Sequence, residues 1–332
     1  MKSELIGRTI EKSERINQNI GFFSSFYDQK AYAYYPQSDE TFSYGSSLGA
    51  NLGLERVAFH HEFIAPGKRS SWPHAHSHEE ELVFIYKGHP EVVVNGESKV
   101  LKPGDFLFFK SGTGWAHTLQ NKINDNENDN DNDKDDCEIF VLGEQKNSLD
   151  KVFYPEHPER NEQCRKEGSL WENYSASPVN WDQIICSYDE VPWEEFSGEK
   201  DEDRVFGRIK DFARHMGALR VAFKIVELPA KMRSSYPHAE LLEEEFVYIL
   251  EGAPNCFYHD KEIPLKELSA VAFPSGTGLV HTIDNQTLEK SVMIFSGELS
   301  KPGNKYFYPY NPELFEEHKD YWWENPPNPA HK

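Results

Sequence analysis

One pattern is written twice in this chain of 332 residues. RSSWPHAHSHEEELVFIYKG occupies positions 69–88, and RSSYPHAELLEEEFVYILEG occupies 233–252. Arg56 and Arg220, His74 and His238, Glu81 and Glu245, Gly88 and Gly252, His117 and His281, and Asn121 and Asn285 all keep the same spacing of 164. Gly143 and Gly297, and Tyr154 and Tyr308, then keep a spacing of 154, so the first copy carries ten extra residues between Asn121 and Gly143. Self-similarity over most of a chain demands two copies of one domain, each able to close its own core. We place them at 1–175 and 176–332, with a linker near SASPVNW (175–181).

Within each copy the apolar residues fall into short β-branched and aromatic runs bounded by Gly, Pro, Asn and Lys. VAFHHEFIA, ELVFIYKG, PEVVVNGES, DFLFFKSG and CEIFVLGE recur as RVAFKIVEL, EFVYILEG, NCFYHDKE, AVAFPSG and SVMIFSGE. These read as strands. Helical spacing is confined to short pieces near 158–174 and 312–325. The expectation is an all-β chain of two barrels or jelly rolls with short peripheral helices. The segments QSDETFSYGSSLG and FGRIKDFARHMG are expected to pack across the two barrels. The extra residues lie in KINDNENDNDNDKDD (122–136), which is too polar to bury a core. Its acids at Asp125, Glu127, Asp129 and Asp131 faintly resemble a calcium loop, but Asn130 stands where such a loop needs glycine, so a solvated loop is expected. Shortening it should change stability by about 1 kcal/mol or less, because closure entropy varies slowly with length; equilibrium denaturation of the shortened chain checks this.

The formal charge of −21 repels a phosphate backbone and an anionic bilayer, so neither nucleic acid nor membrane is an expected partner. The first residues lack an apolar signal region, and Cys137, Cys164, Cys186 and Cys256 form no CxxC pair. A cytoplasmic protein with reduced thiols is expected, with the sequons at Asn173 and Asn285 unused. A homo-oligomer is compatible with all of this.

Residues two apart on a strand share a face, so His74 and His76 aim at one point. Glu81 opens the next strand, and His117 lies on a later one. Three imidazoles and one carboxylate from neighbouring strands can surround a divalent first-row metal and leave positions open. The second copy keeps His238, Glu245 and His281 but has Glu240 in place of His76. That set suits a hard ion such as Mn or Fe, or it is a decayed site kept for packing. Without a metal, two carboxylates there would repel and one would be protonated. His78 and His89, unrepeated in the second copy, are expected to be exposed. Arg56, Arg69, Arg220 and Arg233 could hold a substrate carboxylate, but pairing with the many acids is the preferred role. Glu80 and Glu244 are expected to point out of the barrels. Phe84, Tyr86, Phe106 and Phe108 read as packing, with their neighbours lining the first site, and Trp115 could form a pocket wall.

HAHSHEEELVFIYKG resembles the first motif of the cupin superfamily, and GDFLFFKSGTGWAHTLQN (104–121) resembles the second. Three departures stand out. Lys110 replaces the usual proline, which Pro274 keeps; the turn before each histidine is two residues longer; and Leu268 replaces Gly104. The resemblance spans nearly the whole chain, once per half. RSSWPHA and RSSYPHA, with the trailing FYP…PE…WEN, resemble a group of two-domain cupins (bicupins) described only as metal-dependent by prediction. It implies a double-stranded β-helix fold and a divalent transition metal (Fe, Mn, Zn or Ni) on His74, His76, Glu81 and His117, with a second metal in the other domain left open. The expected function is a metal-dependent enzyme acting on a small polar or anionic molecule at the first site, with Fe/Mn dioxygenase-type oxidoreductase chemistry favoured. The alternatives are a non-redox isomerase, lyase or aminohydrolase, and a non-catalytic binding or storage cupin.

Overall fold

The computed structural model describes residues 23–25, 31–32, 38–123, 135–145, 147–197, 205–299 and 301–328. Most of the Asn/Asp-rich segment, with the calcium-like acids, lies outside the described residues, as do residues 1–22. Each copy forms a barrel from one seven-stranded antiparallel sheet facing a three-stranded one. In the first, the large sheet runs Ile185–Ser187, Asp105–Phe109, Glu81–Lys87, Cys137–Glu144, Val57–Ile64, Tyr44–Ser47 and Ala31–Tyr32. Its partner sheet runs His117–Gln120, Glu91–Val94 and Glu97–Val100. The last two form a hairpin turning at Asn95-Gly96, both at positive φ as such a turn requires. The second barrel repeats this order, with its large sheet running from Phe23–Ser25 through Ser269–Phe273, Glu245–Glu251, Ser291–Glu298 and Val221–Leu228 to Val205–Asp211 and Glu194–Ser197. A helix at Pro158–Glu167 and short turns of helix at 312–321 sit outside. Gly104 and Leu268 immediately precede corresponding strands, and both adopt positive φ (92° and 64°), so the second copy keeps the turn despite losing its glycine.

The edge strands are exchanged. Ile185–Ser187, which leads into the second copy, pairs with Asp105–Phe109 of the first barrel. Phe23–Ser25, which leads into the first copy, pairs with Ser269–Phe273 of the second. Both edges that would otherwise present bare backbone are covered, one of the ways sheets avoid misassembly.

Strand alternation divides the apolar residues into two sets. Val83, Ile85, Leu107 and Phe109 fill the first barrel, and Val247, Ile249, Val271 and Phe273 fill the second. The opposite parity forms one continuous core between the barrels, where Phe59 stacks on Phe246 (4.2 Å) and Phe106 meets Phe212 (5.1 Å). Phe84, Phe106 and Phe108 all lie in that shared core, as packing residues. Phe212, with Leu48 of the corresponding leading segment, shows that these segments do pack across the barrels.

Glu80 and Glu244 leave their own barrels and enter the other. The Glu244 carboxylate, 2% exposed, accepts the backbone N–H groups of Glu55, Arg56 and Val57. Glu80 does the same for Leu219 and Arg220. Arg56 then donates to Glu298, Ser275 and the Leu242 carbonyl, and Arg220 to Glu144, Ser111 and the His78 carbonyl. These two arginines are clasps between the barrels. Glu244→Ala strands the backbone N–H groups of Glu55, Arg56 and Val57, at about 1–3 kcal/mol for each unsatisfied group. A loss of about 3 kcal/mol or more is expected in denaturant titration; a loss under about 0.5 kcal/mol would reduce the clasp to a surface contact.

Candidate metal centres

In the first barrel His74 pairs with His117 across a bridge between their strands, and Glu81 starts the strand beside them. His74 Nδ1–H donates to the Trp72 carbonyl (2.8 Å) and His117 Nδ1–H to the Trp115 carbonyl (2.9 Å). A carbonyl can only accept, so each ring is held with its Nε2 lone pair free for the centre. His117 Nε2 lies 3.3 Å from Glu81 Oε1, and His74 Nε2 lies 4.0 Å from Glu81 Oε2. Donor atoms around one first-row ion, each at about 2.0–2.2 Å from it, stand at such separations. Phe109 stacks flat on His117 at 3.4 Å and keeps its ring from turning.

Burial, reinforced by His76 and His117, pushes His74 down to about 3, so its ring is neutral at physiological pH. Burial works against the charge of Glu81, but His117, His74 and His76 outweigh it and hold the carboxyl at about 2. The donor set thus fits a divalent transition ion as it stands.

His76 stands beside this trio, its ring 5.1 Å from that of His74. Its Nδ1–H donates to Asp150 Oδ2 at 2.7 Å, which again leaves Nε2 free. Asp150 also accepts the backbone N–H groups of His78 and Glu79. Burial disfavours charge on His76, yet Asp150 draws its pKa upward on balance. His78 and His89 are exposed, as expected.

The second barrel repeats the trio with His238, Glu245 and His281. The Nδ1–H groups of His238 and His281 donate to the carbonyls of Tyr236 and Leu279, and Phe273 stacks on His281 at 3.7 Å. His281 Nε2 lies 2.7 Å from Glu245 Oε2, and His238 Nε2 lies 3.8 Å from both Glu245 Oε2 and Glu240 Oε1. Glu240 Oε2 is buried with no hydrogen-bond partner, an acceptor that a cation would satisfy. Without one, burial and the neighbouring Glu245 and Glu243 drive Glu240 strongly toward its protonated form, as two carboxylates in one barrel require.

Three residues escaped sequence reasoning. Asp150 and its second-copy counterpart Asn304 lie in loops at the 154 spacing, and the change from Asp to Asn parallels that from His76 to Glu240. Asn304 Oδ1 accepts the Leu242 N–H, as Asp150 accepts that of His78, while Asn304 Nδ2 is buried without a partner. The third is Lys224, on the inner face of the strand where the first copy has His60.

The two interiors also differ in room. Beside the first trio the described residues leave about 10 Å³, walled by His76, Glu79, Phe109 and Trp115, roughly one water. Beside the second trio they leave about 470 Å³, reached by Lys224, Glu243, Phe295 and Tyr306. The expected lining by neighbours of Phe84, Phe106 and Phe108 is met only by Phe109, because the named residues face the other barrel. The larger of these two spaces adjoins the second trio.

Two barrels with corresponding histidine–glutamate sets can now be compared with known proteins. The cupin domain family matches residues 60–124. An oxalate decarboxylase of Lactobacillus farciminis, solved as a formate complex, superposes with a TM-score of 0.56 at 14% identity, covering 93% of this chain and 95% of that one. This chain has the two-barrel cupin (bicupin) fold. An oxalate decarboxylase of Bacillus subtilis gives the bicupin a TM-score of 0.54 at 16% identity, covering 90% of this chain and 83% of that one. No curated protein matches its sequence significantly. Among the described residues no helix of the bicupin is long and apolar enough to cross a membrane. Its four cysteines are buried thiols, and Asn285 is fully buried, donating to the carbonyls of Leu228, Pro229 and Glu289, so that sequon serves the fold.

Proposed function

We propose that this bicupin is a metal-dependent enzyme converting a small polar molecule, with the substrate held in the second barrel. The carrying observation is the trio of His238, Glu245 and His281 at the wall of a cavity of about 470 Å³, a size suited to small ligands. Two histidines and one carboxylate with open positions suit non-haem iron oxygenases, which supports dioxygenase-type chemistry. When bound, Fe or Mn would supply Lewis acidity and redox capacity there. The chain's own residues present the Nε2 atoms of His238 and His281, exclude water around His281 through Phe273, and shape the space through Phe295 and Tyr306. His74, His76, Glu81 and His117 would hold the first ion in a closed site.

A second reading is non-redox cleavage of a small carboxylate, supported by the oxalate decarboxylases that share the fold. Loading the protein separately with Fe²⁺, Mn²⁺ and Zn²⁺, then screening enolic, phenolic and carboxylate compounds, tests both. Oxygen uptake with Fe²⁺ or Mn²⁺ and none with Zn²⁺ supports oxidation, because zinc has no redox chemistry. CO₂ release without net oxygen uptake supports cleavage. Metal-loaded protein that binds a compound without converting it would assign a binding or storage role.

A further inference from the structure

Arg220 belongs to the second barrel, yet its guanidinium holds a loop of the first that lies between two candidate ligands. That loop joins the strand Ala75–His76 to the strand Glu81–Lys87. Arg220 Nη2 donates to the His78 carbonyl within the loop and to Ser111 Oγ (3.1 Å) beside it. Gly112, next to Ser111, donates its N–H to the His76 carbonyl (3.0 Å). Arg220 Nε donates to Glu144 Oε2 (2.6 Å), and the same oxygen accepts the N–H of Glu80 (3.1 Å), one residue before Glu81. The arginine is itself fixed, because the buried Glu80 carboxylate accepts its backbone N–H and that of Leu219.

The reverse contact is built the same way. Arg56 of the first barrel donates through Nη2 to the Leu242 carbonyl (2.9 Å) and to Ser275 Oγ (2.9 Å). Its Nε donates to Glu298 (3.0 Å), whose carboxylate accepts the Glu244 N–H, and Gly276 donates to the Glu240 carbonyl (2.9 Å). The two copies keep the arginine, the serine (Ser111, Ser275) and the glutamate (Glu144, Glu298), although His76 has become Glu240. His78 has become Leu242, which costs nothing here because the arginine takes only the backbone carbonyl. The hold on the loop is thus the same in both copies while the ligand it serves differs. Glu80, Glu244 and the shared apolar core already join the barrels; the guanidinium forks add a fixed point inside each ligand loop.

We propose that each metal centre is positioned by the other barrel: Arg220 sets the His76–Glu81 loop, and Arg56 sets the Glu240–Glu245 loop. Each arginine is a positioning residue that acts through a loop carbonyl, a serine and a glutamate. A change at the strand start of one barrel therefore loosens the centre of the other. This rests on the reading of the two histidine–glutamate sets as metal centres.

Full-length variants in a His281→Ala background, which lacks a second-centre ligand, test it on the first centre alone. Arg220→Gln should weaken Mn²⁺ binding there about 10-fold by dye competition, the lower end of the range for groups that orient a ligand. It should also change the electron paramagnetic resonance line shape of the bound Mn²⁺. In metal-free protein it should speed amide hydrogen exchange in residues 77–81. Arg220→Lys keeps the charge facing Glu144 but lacks the fork, so it should recover little. Leu228→Ala, a core truncation in the same barrel as Arg220, controls for lost stability and should leave all three readouts unchanged. In a Glu81→Ala background, Arg56→Gln should act on the second centre and on residues 241–245 in the same way. Unchanged affinity and line shape in Arg220→Gln would overturn the proposal, even if exchange rises. Equal losses in Leu228→Ala would also overturn it, by reducing the effect to stability. If the His281→Ala protein takes up no Mn²⁺ while Arg220→Gln still speeds exchange at 77–81, the metal reading fails and the arginine's hold on the loop is upheld.

Discussion

Glu81→Ala should strip close to one equivalent of divalent metal from the purified protein. The argument is electrostatic and geometric together. His74 and His117 are locked by carbonyls on their Nδ1 sides, and His76 is oriented by Asp150. Among the described residues Glu81 contributes the carboxylate of the trio with His74 and His117, ionised well below neutral pH by the imidazoles around it. Removing it deletes a ligand and the charge of the trio that compensates the ion in a buried site, where an uncompensated charge is costly. His117→Ala should have a similar effect. His78→Ala and His89→Ala, at exposed positions, should leave metal content unchanged. Elemental analysis of the four variants, with thermal melts to exclude misfolding, decides it. Full metal content in folded Glu81→Ala and His117→Ala proteins would remove the first site from consideration.

The second large effect concerns which changes rebuild a three-histidine site in the other barrel. Glu240→His alone should fall well short, despite restoring the missing ring. In the first barrel the His76 Nδ1–H is fixed by an acidic acceptor, Asp150. At the corresponding place Asn304 has its carbonyl oxygen committed to the Leu242 N–H and its amide nitrogen without a partner. That arrangement offers a donor where an imidazole N–H needs an acceptor. Glu240→His with Asn304→Asp should therefore bind metal about 10- to 100-fold more tightly in the second barrel than Glu240→His alone, the range found when residues that orient a ligand are altered. Asn304→Asp alone is the second single variant of the comparison. The four proteins form a double-mutant cycle, read by competition with a metal-binding dye, and strict additivity would mean that the two positions are not coupled.

How much of this was legible in advance follows from the range of each interaction. The ligand candidates were legible because their signal is local. His74 and His76 share a face by strand alternation, Glu81 and Gly88 follow within one hairpin arm, and the duplicate supplies a second reading of the same spacing. The strands were legible for the same reason, and so was the division of Phe84 from Val83 into opposite faces. What lay beyond each face was not. Phe84, Phe106 and Phe108 meet the second barrel because the two large sheets pack back to back, a fact that no periodicity within either copy contains.

By itself the sequence determined two like β domains, their strands, and the residues available to hold a metal, since each follows from a period of two and a constant spacing. Only the tertiary structure decided the rest. Phe23–Ser25 and Ile185–Ser187 each complete the other copy's barrel, and Glu80 and Glu244 cap strands across the interface, because backbone groups left bare at a sheet edge or strand start take whichever partner the packing brings near. Asp150 reaches His76 from a loop 74 positions away. The room for a ligand is the difference between two sums of side-chain volumes around near-identical frames, about 10 Å³ in one barrel and about 470 Å³ in the other, and such a difference exists only once every neighbour is in place.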